Sequence, residues 1–189
     1  MIQLVNLSKR YHQQMIFQDF NCTFDLGVHA IMGPSGSGKT TLINLLLGLT
    51  SPDGGAIQGL TGKTLTATFQ EDRLIEHATA LDNVLLPATN KAKEMAISLL
   101  KAVGLGEVIH KKVNELSGGM KRRVAICRSL INPFDILVLD EPFKGLDPQT
   151  CEKVMDLIKP YGKSKTVLLI THHLHEANYL DARITSLSC

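Results

Sequence analysis

The apolar residues of the chain fall into short runs whose period changes along its length. Over the first 32 residues, Ile2 to Val5, Cys22 to Phe24 and Val28 to Met32 are β-type runs broken by polar turns. They predict an antiparallel β lobe. Thr41 to Leu49 then carry Leu and Ile at helical spacing. The turn-rich stretch Ser51-Pro52-Asp53-Gly54-Gly55 predicts a hairpin with Ala56 to Leu60 as its return strand, and a further β run covers Thr64 to Phe69. From Leu81 to about Leu105 the β-branched content drops, and Met95, Ile97, Leu99, Leu100 and Val103 can form one apolar side of a helix. Residues 76 to 116 read as a small helical lobe inserted into an α/β core; with the next helix included, the lobe extends over about 76–130.

That next helix runs from Gly118 to Leu130 and is stopped by Asn132-Pro133. Ile136-Leu137-Val138-Leu139 follow without a polar interruption, which predicts a central parallel strand buried on both faces. A helix over Gln149 to Ile158, a strand over Thr166 to Ile170, a short helix from His175 to Tyr179 and a strand from Arg183 to Ser186 complete the pattern. Strands alternating with helices predict a parallel α/β sheet. At 189 residues and 44% apolar, with no internal repeat or long linker, the chain is expected to form a single domain over 1–189.

Composition narrows the setting. A net charge of +2 with interspersed signs offers no basic face, so no nucleic acid is expected as partner. Cys22, Cys127, Cys151 and Cys189 are scattered without a CxxC pair, which argues against a zinc site or disulfide framework and for a reduced, cytoplasmic setting. The start Met-Ile-Gln-Leu-Val-Asn lacks the marks of an export signal. The most apolar stretch, Leu42 to Leu49, is interrupted by Asn44 and falls short of the roughly 20 residues that cross a bilayer. The chain is expected to be soluble by itself, with a membrane reached only through a partner.

Candidate chemistry begins at Gly33-Pro34-Ser35-Gly36-Ser37-Gly38-Lys39-Thr40. These residues fill each required position of a phosphate-binding loop, between an apolar strand and a Leu/Ile-rich helix. The glycines let consecutive N–H groups converge on an anion, and the helix start adds its positive end. Lys39 would reach the β- and γ-phosphates of a nucleoside triphosphate, and the Thr40 hydroxyl would ligate Mg²⁺. Further along, the strand at Ile136 runs into Asp140 and Glu141 at its carboxyl end, where open α/β sheets place their ligand chemistry. Asp140 can hold Mg²⁺ through oxygen, and Glu141 can orient or deprotonate an attacking water. Leu116-Ser117-Gly118-Gly119-Met120 puts an N-cap serine and paired glycines at a helix start, ahead of the basic Lys121-Arg122-Arg123. Alone, that stretch reads as an ordinary cap.

In this order the pieces resemble, over essentially the whole chain, the nucleotide-binding domain of ATP-binding cassette (ABC) proteins, a P-loop NTPase fold. The resemblance makes Leu116 to Met120 the signature motif. It implies that Gln70 senses Mg²⁺ and the γ-phosphate, that His172 is the switch histidine, that Tyr11 stacks on adenine, and that Gly145-Leu146-Asp147 runs along a dimer interface. It further implies a head-to-tail dimer around two ATP molecules, with phosphates on Gly36 to Thr41 of one subunit and Ser117, Gly118 and Gly119 of the other facing the γ-phosphate. Met120, His173, Cys127 and Ser129 depart from the commonest family pattern without removing a group assigned to chemistry. His172, His173 and His175 lie close together, but no carboxylate or Cys completes a familiar metal spacing.

Gln70-Glu71-Asp72-Arg73-Leu74 with Leu81-Asp82-Asn83-Val84 is similar to the nitrate/sulfonate/taurine importer branch. This resemblance implies integral membrane permease subunits and a separate substrate-binding protein as partners, with the chain at the inner face of the membrane. The chain ends soon after its last strand, so the regulatory C-terminal domain of some sugar-importer ATPases is not expected. Two alternatives remain at this point: a soluble ABC ATPase acting in regulation or assembly, and a small-molecule phosphotransferase, which would leave Leu116 to Met120 unexplained.

Overall fold

In the computed structural model, which describes residues 1–88 and 92–187, a five-stranded sheet carries the centre of the molecule. Its strands are β3 (Gly27–Met32), β5 (Leu65–Thr68), β6 (Ile136–Asp140), β7 (Thr166–Ile170) and β8 (Arg183–Ser186). Their order is β5-β6-β7-β3-β8, and each neighbouring pair is parallel. The uninterrupted apolar run of β6 now has its reason. Leu137 and Leu139, with Val167 and Leu169 of β7, pack on one side of the sheet, while Ile136, Val138, Leu168 and Ile170 pack on the other.

The first side is covered by helices. These are α2 (Ala80–Leu85), α3 (Lys93–Ala102), α4 (Gly118–Leu130) and α5 (Pro148–Ile158), with short 3₁₀ turns at Gly106–Val108 and Val113–Glu115. The predicted helical run from Leu81 to Leu105 is two helices. α2 ends ahead of Pro87, a residue that cannot donate to a continuing helix. Met95 is exposed, and the inward stripe of α3 is instead Ala96, Leu99, Leu100 and Val103, spaced by three and four residues. Thr79 and Asp82 close a capping box on α2, and the fully buried Asn83 ties that helix to the backbone of Ile75 and Thr79.

The second side is covered by α1 (Lys39–Leu46) and a three-stranded antiparallel sheet ordered β2-β1-β4. β1 (Ile2–Tyr11) and β2 (Gln14–Phe24) are far longer than the apolar runs foretold. One face of each is polar, and bulges at Asn6 and Asp19, both with positive φ, interrupt the alternation. The predicted hairpin at 51–60 does not form. β4 (Gly54–Gln58) pairs with β1, and Lys9 holds the connecting turn through Ser51 O at 2.8 Å and Asp53 Oδ1 at 3.1 Å. Gly55 sits at the bulge with φ 75°, where a Cβ would stand 2.2 Å from the Asn6 carbonyl oxygen. Gly55→Ala is therefore expected to cost more than about 1 kcal/mol of stability, read as a lower urea midpoint at unchanged slope. A short helix α6 (Leu174–Tyr179) links β7 to β8.

Candidate active site

Because the strands are parallel, their carboxyl ends share one edge, and the loops leaving β3, β5, β6 and β7 meet there. They enclose a cavity of about 490 Å³ lined by Ser35, Gly36, Gly38, Lys39, Thr40, Thr41, Gln70, Asp140, Glu141, Lys144 and His172, with Gln14 and Ile16 of β2 on one wall. Residues as distant in sequence as Lys39 and His172 are thereby brought together. Gly38 precedes α1 with φ 93°, and a Cβ there would meet Ile16 at 2.7 Å and Phe17 at 2.9 Å, so the loop can fold back under β2 only with glycine.

Lys39 is nearly buried, and its ammonium donates to the carbonyls of Gly33 and Pro34, each at 2.7 Å. The lysine thus holds its own loop closed. The Ser37 hydroxyl is buried within the loop without a hydrogen-bond partner among the described residues.

The two acids at the end of β6 are driven in opposite directions. Burial and the neighbouring Glu141 charge raise the Asp140 carboxyl above the ordinary range, against the pull of Arg122, Lys39 and His172. Burial would raise Glu141 as well, but the Lys144 hydrogen bond and the charges of Lys144, His172 and Lys39 outweigh it and leave Glu141 below the ordinary range. Glu141 has φ 46°, and its N–H donates to Ile170 O at 3.0 Å. Its two carboxylate oxygens face different partners: Lys144 Nζ lies 3.1 Å from Oε2 and His172 Nε2 lies 3.2 Å from Oε1.

Gln70 is fixed from a direction that the sequence did not announce. Arg122 of α4 donates to Phe69 O at 2.7 Å and to Gln70 O, and pairs with Asp72 at 3.2 Å. Arg128, on the same helix, donates to the carbonyls of Asp72 and Arg73, both at 2.8 Å. The helix that begins at the signature motif therefore carries the Gln70 loop. Arg122→Leu leaves these carbonyls and the half-buried Asp72 without the guanidinium, and is expected to lower unfolding stability by about 2 kcal/mol in a urea titration. The basic run 121–123 gives no sign of this inward role in the sequence.

Other candidates lie away from the cavity. Ser117 is exposed as the N-cap of α4 and accepts from Met120 N at 3.3 Å. Gly118 is exposed beside it, and Gly119 abuts the Gly145 carbonyl and Leu146. Asp147 caps α5 by accepting from Thr150 N at 3.0 Å, and the Thr150 side chain, followed by this backbone bond, holds its carboxyl below the ordinary range. Tyr11 stands at the end of β1 with the Lys9 ammonium 5.3 Å from its ring centre, outside the cavity wall that Gln14 and Ile16 form. Of the departures from the family pattern, Cys127 is buried in α4 with its thiol pushed up to about 12 by burial, and Ser129 accepts a hydrogen bond from Thr68 at 3.1 Å. Cys189 lies outside the described residues.

The sequence profile described as ABC transporter matches residues 17–144, more than half of the chain. The chain belongs to the ABC transporter family. It is 38% identical over 194 residues to an aliphatic sulfonates import ATP-binding protein of Rhodococcus jostii, covering 99% of this chain and 79% of that one. It is 35% identical to a thiamine import ATP-binding protein of Vibrio vulnificus, covering 94% of this chain and 82% of the relative. The fold superposes on the dimeric structure of the bacterial ABC transporter cassette MJ0796 with a TM-score of 0.88 at 32% identity, covering 99% of this chain and 94% of that cassette. The same cassette is also known in a post-hydrolysis state bound to ADP and Pi. The ABC cassette described here is accordingly an ATPase, the nucleotide-binding component of a transporter, built on the P-loop NTPase fold.

Proposed function

We propose that this ABC cassette powers an importer as one of two ATPase subunits that close head to tail on ATP. The observation that carries the reading is a separation. Gln70, Asp140, Glu141 and His172 line one cavity with the phosphate loop, whereas the exposed Ser117, Gly118 and Asp147, with the half-buried Gly119, lie outside that lining. A second copy supplying those residues would complete the site, in keeping with the dimeric relative.

In this reading the phosphates of ATP lie on Gly36 to Thr41, with Lys39 released from its own loop carbonyls to pair with them. Tyr11, paired across the strands with the cavity-lining Gln14, is assigned to the adenine. Glu141 accepts a proton from the attacking water, Gln70 and His172 orient the water and the γ-phosphate, and ADP and phosphate result. The Ser117 hydroxyl and the Gly118 and Gly119 N–H groups of the second copy face the γ-phosphate at the start of α4. Loss of the γ-phosphate removes these contacts and lets the pair open.

The site also fits a divalent cation. Thr40, Gln70 and Asp140 share the cavity and offer hard oxygen donors, and the buried Asp140 carboxyl stands beside a like charge that a cation would offset. These residues would hold Mg²⁺, which when bound supplies positive charge to the β- and γ-phosphate oxygens.

No described helix is long and apolar enough to cross a membrane. The cassette is proposed to be a single domain over 1–189, with the helical sub-lobe at about 76–130, held at the cytoplasmic face by integral permease subunits. A groove of about 290 Å³ lined by Thr66, Ala67, Leu86, Pro87, Arg128 and Ser129 adjoins the Gln70 loop and supports docking there, with Leu86 largely exposed. The importer assignment is supported by the two import relatives, and a separate substrate-binding protein is proposed with it. Affinity purification from native membranes tests it: permease and substrate-binding subunits are expected to co-purify, and recovery of the chain with soluble partners alone would favour a regulatory or assembly module.

A further inference from the structure

Lys144 lines the cavity yet has no part in the roles assigned above. Its Nζ lies 3.1 Å from Glu141 Oε2, and its backbone N–H donates to Glu141 O at 3.2 Å across the buried Pro142-Phe143 turn. The amine is therefore carried on the same tight turn as the carboxylate. The opposite oxygen, Oε1, faces His172 at 3.2 Å; Lys39 also acts on the carboxylate from α1, and Asp140 adjoins it on β6. A triphosphate entering the cavity brings several negative charges toward Glu141 and repels its carboxylate. A cation fixed on Oε2 offsets that repulsion and leaves Oε1, on the His172 side, without a lysine contact. We infer that Lys144 is a positioning residue for ATP hydrolysis, holding the Glu141 carboxylate in its working orientation by a contact to Oε2 while nucleotide is bound. The inference rests on the reading of Glu141 as the proton acceptor.

The Lys144 side chain is mostly exposed, so its removal takes little from the fold. Lys144→Met and Lys144→Arg, each in the unaltered chain and in Glu141→Gln, separate the alternatives. Lys144→Met is expected to lower kcat about tenfold with KM for ATP within about twofold, at an unchanged melting temperature. Lys144→Arg should restore most of kcat. In the Glu141→Gln background Lys144→Met should cause no further loss, because the group it positions is already gone. An unchanged or raised kcat, a rise in KM alone, failure of arginine to rescue, or an equal loss in the Glu141→Gln background would overturn the role. Glu141→Gln retaining full turnover would instead overturn the underlying reading of Glu141, which keeps the two failures distinct.

Discussion

Glu141→Gln is expected to lower ATP turnover by about 10²- to 10⁴-fold while leaving ATP binding in place, the scale of losing a general base. The substitution is close to isosteric. The backbone bond from Glu141 N to Ile170 O and the left-handed turn at φ 46° do not depend on the carboxylate, so the end of β6 keeps its shape. The amide no longer takes a proton from water, and Lys144 and His172 lose the charge they flank. Lys39, Thr40 and the loop are untouched, and ATP still binds. With hydrolysis blocked, the γ-phosphate contacts persist and the closed pair accumulates. A steady-state phosphate-release assay measures the effect, and near-normal turnover would remove Glu141 from its role.

Lys39→Ala acts one step earlier, on binding itself. Its ammonium makes two 2.7 Å bonds to the loop's own carbonyls and sits almost buried at the foot of the cavity, where a phosphate would compete for it. A hydrogen bond between charged groups contributes about 1.5–3 kcal/mol, so the ATP dissociation constant is expected to rise roughly 10- to 100-fold. The loop also loses the cation that ties Gly33 and Pro34 together. Calorimetric titration with ATP reads the change directly, and an unchanged dissociation constant would contradict the assignment. Together the two variants separate binding from chemistry.

The parts of the site that could be read from the sequence are those with local signatures. The phosphate loop is contiguous, and β6 advertises itself by four buried apolar residues ending in Asp140 and Glu141. The bounds of α4 follow from Ser117 as cap and Asn132-Pro133 as stop. Long-range partners carried no such mark. The Gly-rich turn ahead of β4 suggests a local hairpin, yet its partner is β1, some 50 residues away in the chain. The polar faces of β1 and β2 hide the alternation along their full length, and composition cannot fix the phase of α3, whose inward stripe includes a small Ala96 and leaves Met95 exposed. Arg122 and Lys144 escaped notice for a related reason. A basic residue in the first turns of a helix, or three positions after an acid, is usually a solvated charge, and the contacts of these two appear only when the Gln70 loop and the turn after β6 fold back. The phosphate loop and the signature stretch occur in one chain, but the fold places them on different surfaces, which a linear reading could anticipate through resemblance alone.

The ATP site is proposed to be shared between two copies of the chain. Light scattering coupled to size exclusion, applied to the Glu141→Gln chain with and without saturating ATP and Mg²⁺, tests it most directly. A single-chain mass is expected without nucleotide and twice that mass with it, and Ser117→Arg is expected to abolish the ATP-dependent doubling while ATP still binds. A chain that binds ATP fully yet keeps the single-chain mass, or one that doubles regardless of Ser117, would contradict it.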